Sequence, residues 1–483
     1  MLVNLLIYSK KKKLYINGEW VESESYTPLL SPYSREVLAE IPIATKQDVN
    51  WAIAAADEAR RTMAQLPAHE RSAILERVVS LLQQRADEAA KLVALEAAKP
   101  ITTAKAEVAR TIQTYKFAAE EAKRIHGETI PLDATPGGEN RIAFTVREPI
   151  GVIGAITPFN FPLNLVAHKL GPAIASGNAV VLKPASQTPL SAYFIAELFE
   201  QAGLPKGALN VVTGSGKTVG DQIVADPRIS MVTFTGSPEV GIGIRNKAGL
   251  KRVTLELGSN SAVIIDEHVD IDRIIPRCIV GAFSFQGQVC ISLQRIYVHE
   301  KRYREFVEKF VAAVKQLKVG DPLDPSTDVS ALISEKDVER SLQWIEEAKQ
   351  GGATVAIGGE RQGNILLPTV ILGAAPTMKV SCQEVFAPIV LINQVSSIDE
   401  AIELVNDSRY GLQAGVYTDN VHVAWEAAEK LHVGGVLIND IPTFRVDHMP
   451  YGGVKESGFG REGIRYAIEE MTELKLIIFN RNR

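Results

Sequence analysis

The chain is predicted to be an α/β protein: a Rossmann-like parallel-sheet domain, a second α/β domain and a small β arm. Three observations predict it. From Gly151 onward, short apolar runs alternate with helical stretches, and repeated βαβ units of that length imply a parallel sheet with helices on both faces. A second series of such runs begins after "VTLELGSNSAVIID". And 483 residues are too many for one simple core, so two or three domains are expected.

The elements follow in order. "KLYINGEWV" reads as two strands around Asn17-Gly18, a hairpin signal. "TKQD" (Thr45 to Asp48) has capping-box spacing, and "VNWAIAAADEARRTMAQL" after it carries helical periodicity. That patterning resumes from His69 to about His126, broken at Lys99-Pro100. "RIAFTVRE" (Arg141 to Glu148) alternates like a strand and is flanked by Pro and Gly, so it reads as an excursion. Then come "GVIGAIT", "NAVVLKPA", "ALNVVTG" and "MVTFTGS", each followed by a helix. "RIYVHE", "ATVAIGG", "PIVLINQV" and "AGVYT" are the strands of the second series, and the two domains are expected to meet near Leu257-Gly258. The apolar strand "ELKLIIFN" near the end of the sequence seeks a partner edge.

Composition narrows the function classes. Charged residues are 23% and the formal net charge is -5, which gives no electrostatic case for nucleic acid or an anionic membrane. "KKKK" (Lys10 to Lys13) reads as a solvated arm, and the first nine residues as a loose extension. "MLVNLLIYSKKKK" puts apolar residues before charges, the reverse of a secretory signal, and no apolar run approaches the ~18 residues of a spanning helix. Three cysteines without a CxxC argue against a disulfide framework or a structural zinc and fit a reducing cytoplasm. No metal is expected.

Several motifs carry chemistry. "TGSGKT" (Thr213 to Thr218) invites a phosphate-loop reading, but Val211 stands where that loop needs glycine. "FTGSPEVG" follows a strand and opens a helix; Gly236 and Gly241 would let a ligand approach, though a plain βα turn reads the same way. Asn160, in "TPFNFP" at the C-terminal end of "GVIGAI", can hold a developing oxyanion or merely cap a turn. Glu256 sits inside an apolar strand: buried, its pKa would rise toward values useful for a general base; on an edge strand it would only face water. Cys290 ends a polar, glycine-broken turn, "FSFQGQVC", where neither core nor disulfide requires it. Cys278 and Cys382 read as core.

In order, "TPFNFP", "LKPASQTP", "FTGSPEVG", "LELGSNS", "GQVC", "EVFAP" and "MPYGGVKESGFGREG" make the chain resemble the aldehyde dehydrogenase superfamily over nearly its whole length. The resemblance implies a cofactor domain of residues 1–128, 149–258 and 457–470, a catalytic domain of 259–456, and an oligomerisation arm of 129–148 and 471–483. It implies Cys290 as nucleophile, Asn160 as oxyanion donor and Glu256 as general base. Thr157, Pro158, Phe159, Lys183, Ser186, Gly236, Ser237, Glu384 and Phe386 would line an NAD or NADP site. The partners implied are a small aldehyde and further copies of the chain, as a dimer or tetramer, with His168, Arg110 and Arg445 placed toward the substrate.

"GQVCISLQR" and "INDIPTFRVDHMPYGG" look most like the lactaldehyde- and glyceraldehyde-oxidising branch, whose members handle small aldehydes, some of them anionic. Ser259 stands where the family usually has a second Gly, and "PFN" where "PWN" is commoner; neither removes a reacting group. Alternatives are a succinate semialdehyde oxidiser, a thiol esterase without redox chemistry, a dehydrogenase passing its acyl group to coenzyme A, and a non-catalytic relative. Arg445 has a bland alternative as well, a surface arginine in a salt bridge.

Overall fold

The computed structural model describes residues 11–481. Its fold class is the expected one. The first sheet has eight strands, and its five central ones are parallel. Across it the strands run Leu209–Val211, Ala179–Lys183, Val152–Ile156, Met231–Thr235, Arg252–Glu256. The strand order therefore reverses beside Val152–Ile156, and open parallel sheets bind ligands at the carboxyl end of such a switch point. Alternation along these strands buries both faces. Ile153, Ala155, Val180 and Leu182 pack under the helices Ala68–Gln84, Ile101–Glu121, Asn164–Ala175 and Leu190–Gln201. Val152, Ile156, Val181 and Val232 pack under Lys46–Gln65 and Pro238–Lys247 on the other side.

The chain leaves this sheet at Glu256 and enters a second, seven-stranded sheet at Ala262–Ile265. The second sheet contains Arg295–His299, Thr354–Ile357, Ile389–Val395 and Gln413–Tyr417, all read from the sequence, and Thr369–Leu372 and Gly435–Ile438, which were not. Only Thr354–Ile357 runs antiparallel to its neighbour. Gly458–Phe459 then returns to pair with Leu255 and Glu256 in the first sheet.

Thr472–Asn480 pairs along nine residues with Arg141–Pro149. Leu474, Leu476 and Ile478 stay more than 45% exposed, so one apolar face of that strand is uncovered.

Local signals explain several boundaries. Thr45 and Asp48 form the reciprocal capping box, and Asn17 and Gly18 take the left-handed conformations of a two-residue hairpin turn. The helical run after His69 breaks at Arg85 as well as at Lys99-Pro100. Two readings need correction. Cys382 is half-buried on a short helix, with Sγ 3.7 Å from the Thr377 carbonyl, and is not core; Cys278 is fully buried. Lys11 to Lys13 are no free arm: Lys11 bridges to Glu40 and lies over the Tyr26 ring. Residues 1–9, read as a loose extension, lie outside the described residues. Among the described residues no helix is long and apolar enough to cross a membrane.

Candidate active site

Cys290 follows three consecutive left-handed residues, Phe285 (φ 48°), Gln286 (φ 55°) and Gly287 (φ 69°). Such backbone is strained for side chains other than glycine. Gly287 has a second reason to be glycine: a Cβ there would stand 2.2 Å from the Ala387 carbonyl oxygen. The turn is held from inside. Gln286 donates to the carbonyls of Ala98 and Ala331, both at 2.9 Å, and Gln288 accepts from the Ile333 N–H at 3.0 Å. The two glutamines that make the segment look polar are thus buried struts.

Asn160 lies just past the strand Val152–Ile156 and is 1% exposed. Its Nδ2 donates to the Gln288 carbonyl at 3.0 Å and lies 3.9 Å from Cys290 Sγ. Glu256 is 2% exposed on an interior strand, so the edge-strand alternative fails. Neither of its carboxyl oxygens has a hydrogen-bond partner. Burial, and then the Glu462 carboxylate, push its pKa well above the usual range, opposed by Arg445 and Lys169. Glu462 goes the other way: burial would raise it, yet Lys169 and Arg445 hold it at about 2. Two carboxyl groups in one charged cluster are thereby driven apart, one proton-holding and one ionised. Burial also raises the Cys290 thiol, helped by Glu384 and Glu256, so the resting group is a thiol.

Two cavities meet here. The larger, about 1000 Å³, opens at the carboxyl ends of the parallel strands and runs from Lys217 and Ser186 to Phe386 and Cys290. The smaller, about 210 Å³, is lined by Glu256, Arg110, Arg445 and Tyr451. They share Asn160, Thr235 and Cys290.

The larger cavity fits a dinucleotide. Lys183 is 5% exposed, bonds only the Pro184 carbonyl, and is pulled down to about 8 by burial; an ammonium so placed calls for hydroxyl or anionic partners. Ser186 is exposed at the rim, Thr157, Pro158 and Phe159 line the wall, and Ser237 caps the helix Pro238–Lys247. The room a Cβ would take at Gly236 and Gly241 is filled by Phe234 and Leu257, so these glycines pack the turn against its own strands. At the far end Phe159 and Phe386 meet edge to face at 5.8 Å. Glu384 accepts from the Ser259 N–H at 2.9 Å, and a Cβ at Gly258 would lie 2.7 Å from its Oε2. A side chain at the glycine of the "LELGS" stretch would therefore push the Glu384 carboxylate from this position, whereas the serine after it is accommodated.

The three residues expected toward the substrate fall differently. Arg110 lines the smaller cavity but is held by Asp447, 2.7 Å from Oδ1. Arg445 also lines it, 8% exposed, with Nη2 3.0 Å from Glu462 and its guanidinium 3.7 Å from the Tyr451 ring. It is neither free nor a surface arginine. His168 is off the cavity wall: 1% exposed, it bonds Asp447 at 2.9 Å and backs Arg445, so any effect on substrate passes through those two. Burial and then Arg445 lower its pKa. Lys169, Glu462, Asp447, Tyr451 and Lys217 were not assigned roles from the sequence. A lysine inside the mostly apolar helix Asn164–Ala175 was the one signal available for Lys169.

Residues 20–477 match the profile described as "Aldehyde dehydrogenase family". The chain is 49% identical over 471 residues to the 3-sulfolactaldehyde dehydrogenase of Priestia aryabhattai, covering 98% of each chain. It is 42% identical to the lactaldehyde dehydrogenase of Methanococcus aeolicus, over 97% of this chain and 100% of that one. The crystal structure of glyceraldehyde-3-phosphate dehydrogenase from Methanocaldococcus jannaschii, complexed with NADP, superposes with a TM-score of 0.91 at 40% identity, covering 95% of this chain and all of that one.

Proposed function

The chain belongs to the aldehyde dehydrogenase family, and from that membership we propose that it oxidises a small aldehyde carrying an anionic group to the carboxylic acid, with NADP or NAD. The observation that carries this reading is the placing of Cys290 on the wall common to a dinucleotide-sized cavity and a small cavity bearing two arginines. The nicotinamide cofactor, when bound, supplies the two-electron acceptor. Everything else is done by the chain. Cys290 Sγ adds to the aldehyde carbon, and its proton leaves toward solvent. The Asn160 amide and the Cys290 N–H hold the oxygen that becomes negative. Loss of a hydride from the carbon leaves a thioester on Cys290. Glu256, unpaired and with a raised pKa, acts in its ionised form: it takes a proton from water as that water attacks and gives it to the departing sulfur, so the acid leaves and the thiol is restored.

Lys183 and Ser186 are proposed to meet the adenosine ribose, Ser237 and the helix start behind it the pyrophosphate, and Glu384 and Phe386 the nicotinamide end. No carboxylate occupies position 186, which supports acceptance of a 2′-phosphate. The sulfonated substrate of the Priestia relative supports an anionic aldehyde. The uncovered face of Thr472–Asn480 supports assembly as a dimer or tetramer, and three unpaired cysteines support the cytoplasm. The domain limits proposed are 1–128, 149–258 and 457–470 against 259–456, with the arm apart. Initial rates on paired charged and neutral aldehydes with both cofactors test the function; absence of aldehyde-dependent cofactor reduction across such a panel overturns it.

A further inference from the structure

One fully buried ion pair beside the nucleophile has no part in the steps above. Lys99 is 0% exposed and Glu107 1%, and they bond to each other. Their remaining bonds go to a single turn. Lys99 Nζ donates to the backbone carbonyl of Asn160 at 2.7 Å. Glu107 Oε1 accepts from the N–H groups of Leu163 at 3.0 Å and Asn164 at 3.2 Å. The turn is thus gripped at its start and its end by two groups that are themselves joined. The Lys99 ammonium also lies over the rings of Phe161 (3.8 Å) and Phe285 (4.3 Å), one from each of the two loops that meet at the thiol. The nucleophile turn reaches the same point, because Gln286 donates to the carbonyl of Ala98, the residue before Lys99.

We propose that Lys99 and Glu107 are positioning residues that fix the Asn160 amide relative to Cys290, so that the oxyanion donor stands ready before the aldehyde is attacked. This rests on the aldehyde-oxidising reading. Neither side chain touches the reacting atoms. Their contribution comes through geometry, since an oxyanion donor acts at full strength only when it need not reorganise as charge develops. A buried ion pair is a weak source of net stability, and an apolar pair of similar volume would fill the same space. Here the bonds run to the turn and to Asn164, the first residue of the helix it opens, rather than to solvent, which is what a positioning role requires.

The test compares two reactions of the same thiol. Acylation of Cys290 by a nitrophenyl ester builds an oxyanion; alkylation by iodoacetamide displaces iodide and builds none. Glu107→Gln keeps the shape and one acceptor oxygen and removes the charge that holds Lys99. It should slow acylation, and kcat for aldehyde oxidation, by about ten- to a hundredfold, a part of the ~10²–10³ that such a donor is worth. Alkylation should change by less than about threefold and KM for the cofactor should stay put, since neither depends on the donor. In an Asn160→Ala background Glu107→Gln should slow acylation no further, the coupling expected of residues acting through one group. If Glu107→Gln does not give folded protein, Lys99→Met, which keeps the aliphatic stem between the rings, is measured instead. A parallel fall in acylation and alkylation, or effects that multiply with Asn160→Ala, overturns the proposal. Failure of the wild type to oxidise any aldehyde sinks the functional reading instead, and the ester and iodoacetamide rates still decide the positioning role.

Discussion

Replacing Arg445 by methionine should cost activity on charged aldehydes and spare neutral ones. Glu462 is gripped by two cations, Lys169 at 3.1 Å on one oxygen and Arg445 at 3.0 Å on the other. The trio therefore carries one net positive charge, while Arg110 is balanced by Asp447. An anionic tail about 5 Å from that charge gains about 3 kcal/mol at an effective dielectric of about 20. Desolvating the tail takes back about half of that gain, which leaves about 1.5 kcal/mol, roughly tenfold in kcat/KM. Arg445→Met makes the trio neutral yet keeps an unbranched side chain against Tyr451. Glu462 retains Lys169, so no bare buried charge is left and the fold should persist. Since Arg445 also draws the Glu256 pKa down, its loss should move the acid limb of activity to higher pH for every substrate. The comparison is therefore made on the alkaline plateau, with 3-sulfolactaldehyde against lactaldehyde. The charged aldehyde should lose about tenfold and the neutral one less than about twofold, by the same Coulomb argument. Equal losses on the two would refute anion pairing at Arg445.

Other outcomes follow from the same geometry. Cys290→Ala should abolish oxidation while cofactor affinity, followed by fluorescence quenching, stays near wild type; normal turnover would remove the covalent route. Glu256→Gln should give a burst of reduced cofactor of about one equivalent per site and then slow turnover, since acylation outlives the base; an unchanged steady-state rate would take Glu256 out of that role. The same variant reports on stability. The raised Glu256 pKa means the folded chain keeps a proton that the unfolded chain loses, so wild-type stability declines as pH rises from the usual carboxylate range through the raised value. Glu256→Gln should accordingly gain in Tm over wild type across that window, and a Tm difference independent of pH would contradict the unpaired buried carboxylate. Ser186→Glu should depress NADP-linked rates by about tenfold or more through like-charge repulsion while NAD-linked rates hold; a wild type with no NADP-linked activity where NAD works well would overturn the assignment of the 186 position.

Features that are local in the chain were readable from it. The capping box at Thr45, the Asn17-Gly18 hairpin and the alternation within Val152–Ile156 and Ala179–Lys183 each depend on neighbours a few residues away. Cys290, Asn160 and Glu256 stood out because each contradicts its surroundings: a thiol at a loop end, an amide between aromatics, an acid inside an apolar strand. What stayed hidden was pairing across distance. Lys169 and Glu462 are 293 residues apart and His168 and Asp447 are 279 apart, and no spacing rule joins them. Arg445 was legible as a cation near the substrate, but its existing partner was not. His168 looked available because its type suggests chemistry, whereas the helix carrying it is buried on every side. The roles of Gln286 and Gln288 were hidden for a related reason: the groups they serve, the carbonyls of Ala98 and Ala331 and the N–H of Ile333, lie far from them along the chain.

The wall common to the two cavities has a consequence for traffic. The exposed lining of the larger cavity includes Lys217, Glu239 and Val240, that of the smaller Ala106 and Val280, so each cavity reaches the surface on its own side and the thiol stands where the two join. Neither visitor has to leave by the other's door. Spent dinucleotide can depart while the acyl group is still tethered to sulfur, and the finished acid can depart while a dinucleotide stays in place. The order of departures is then set by the lifetimes of the individual contacts rather than by a queue. A change confined to one passage, such as a narrower opening at Val280, should slow one kind of passenger and leave the other's timetable untouched.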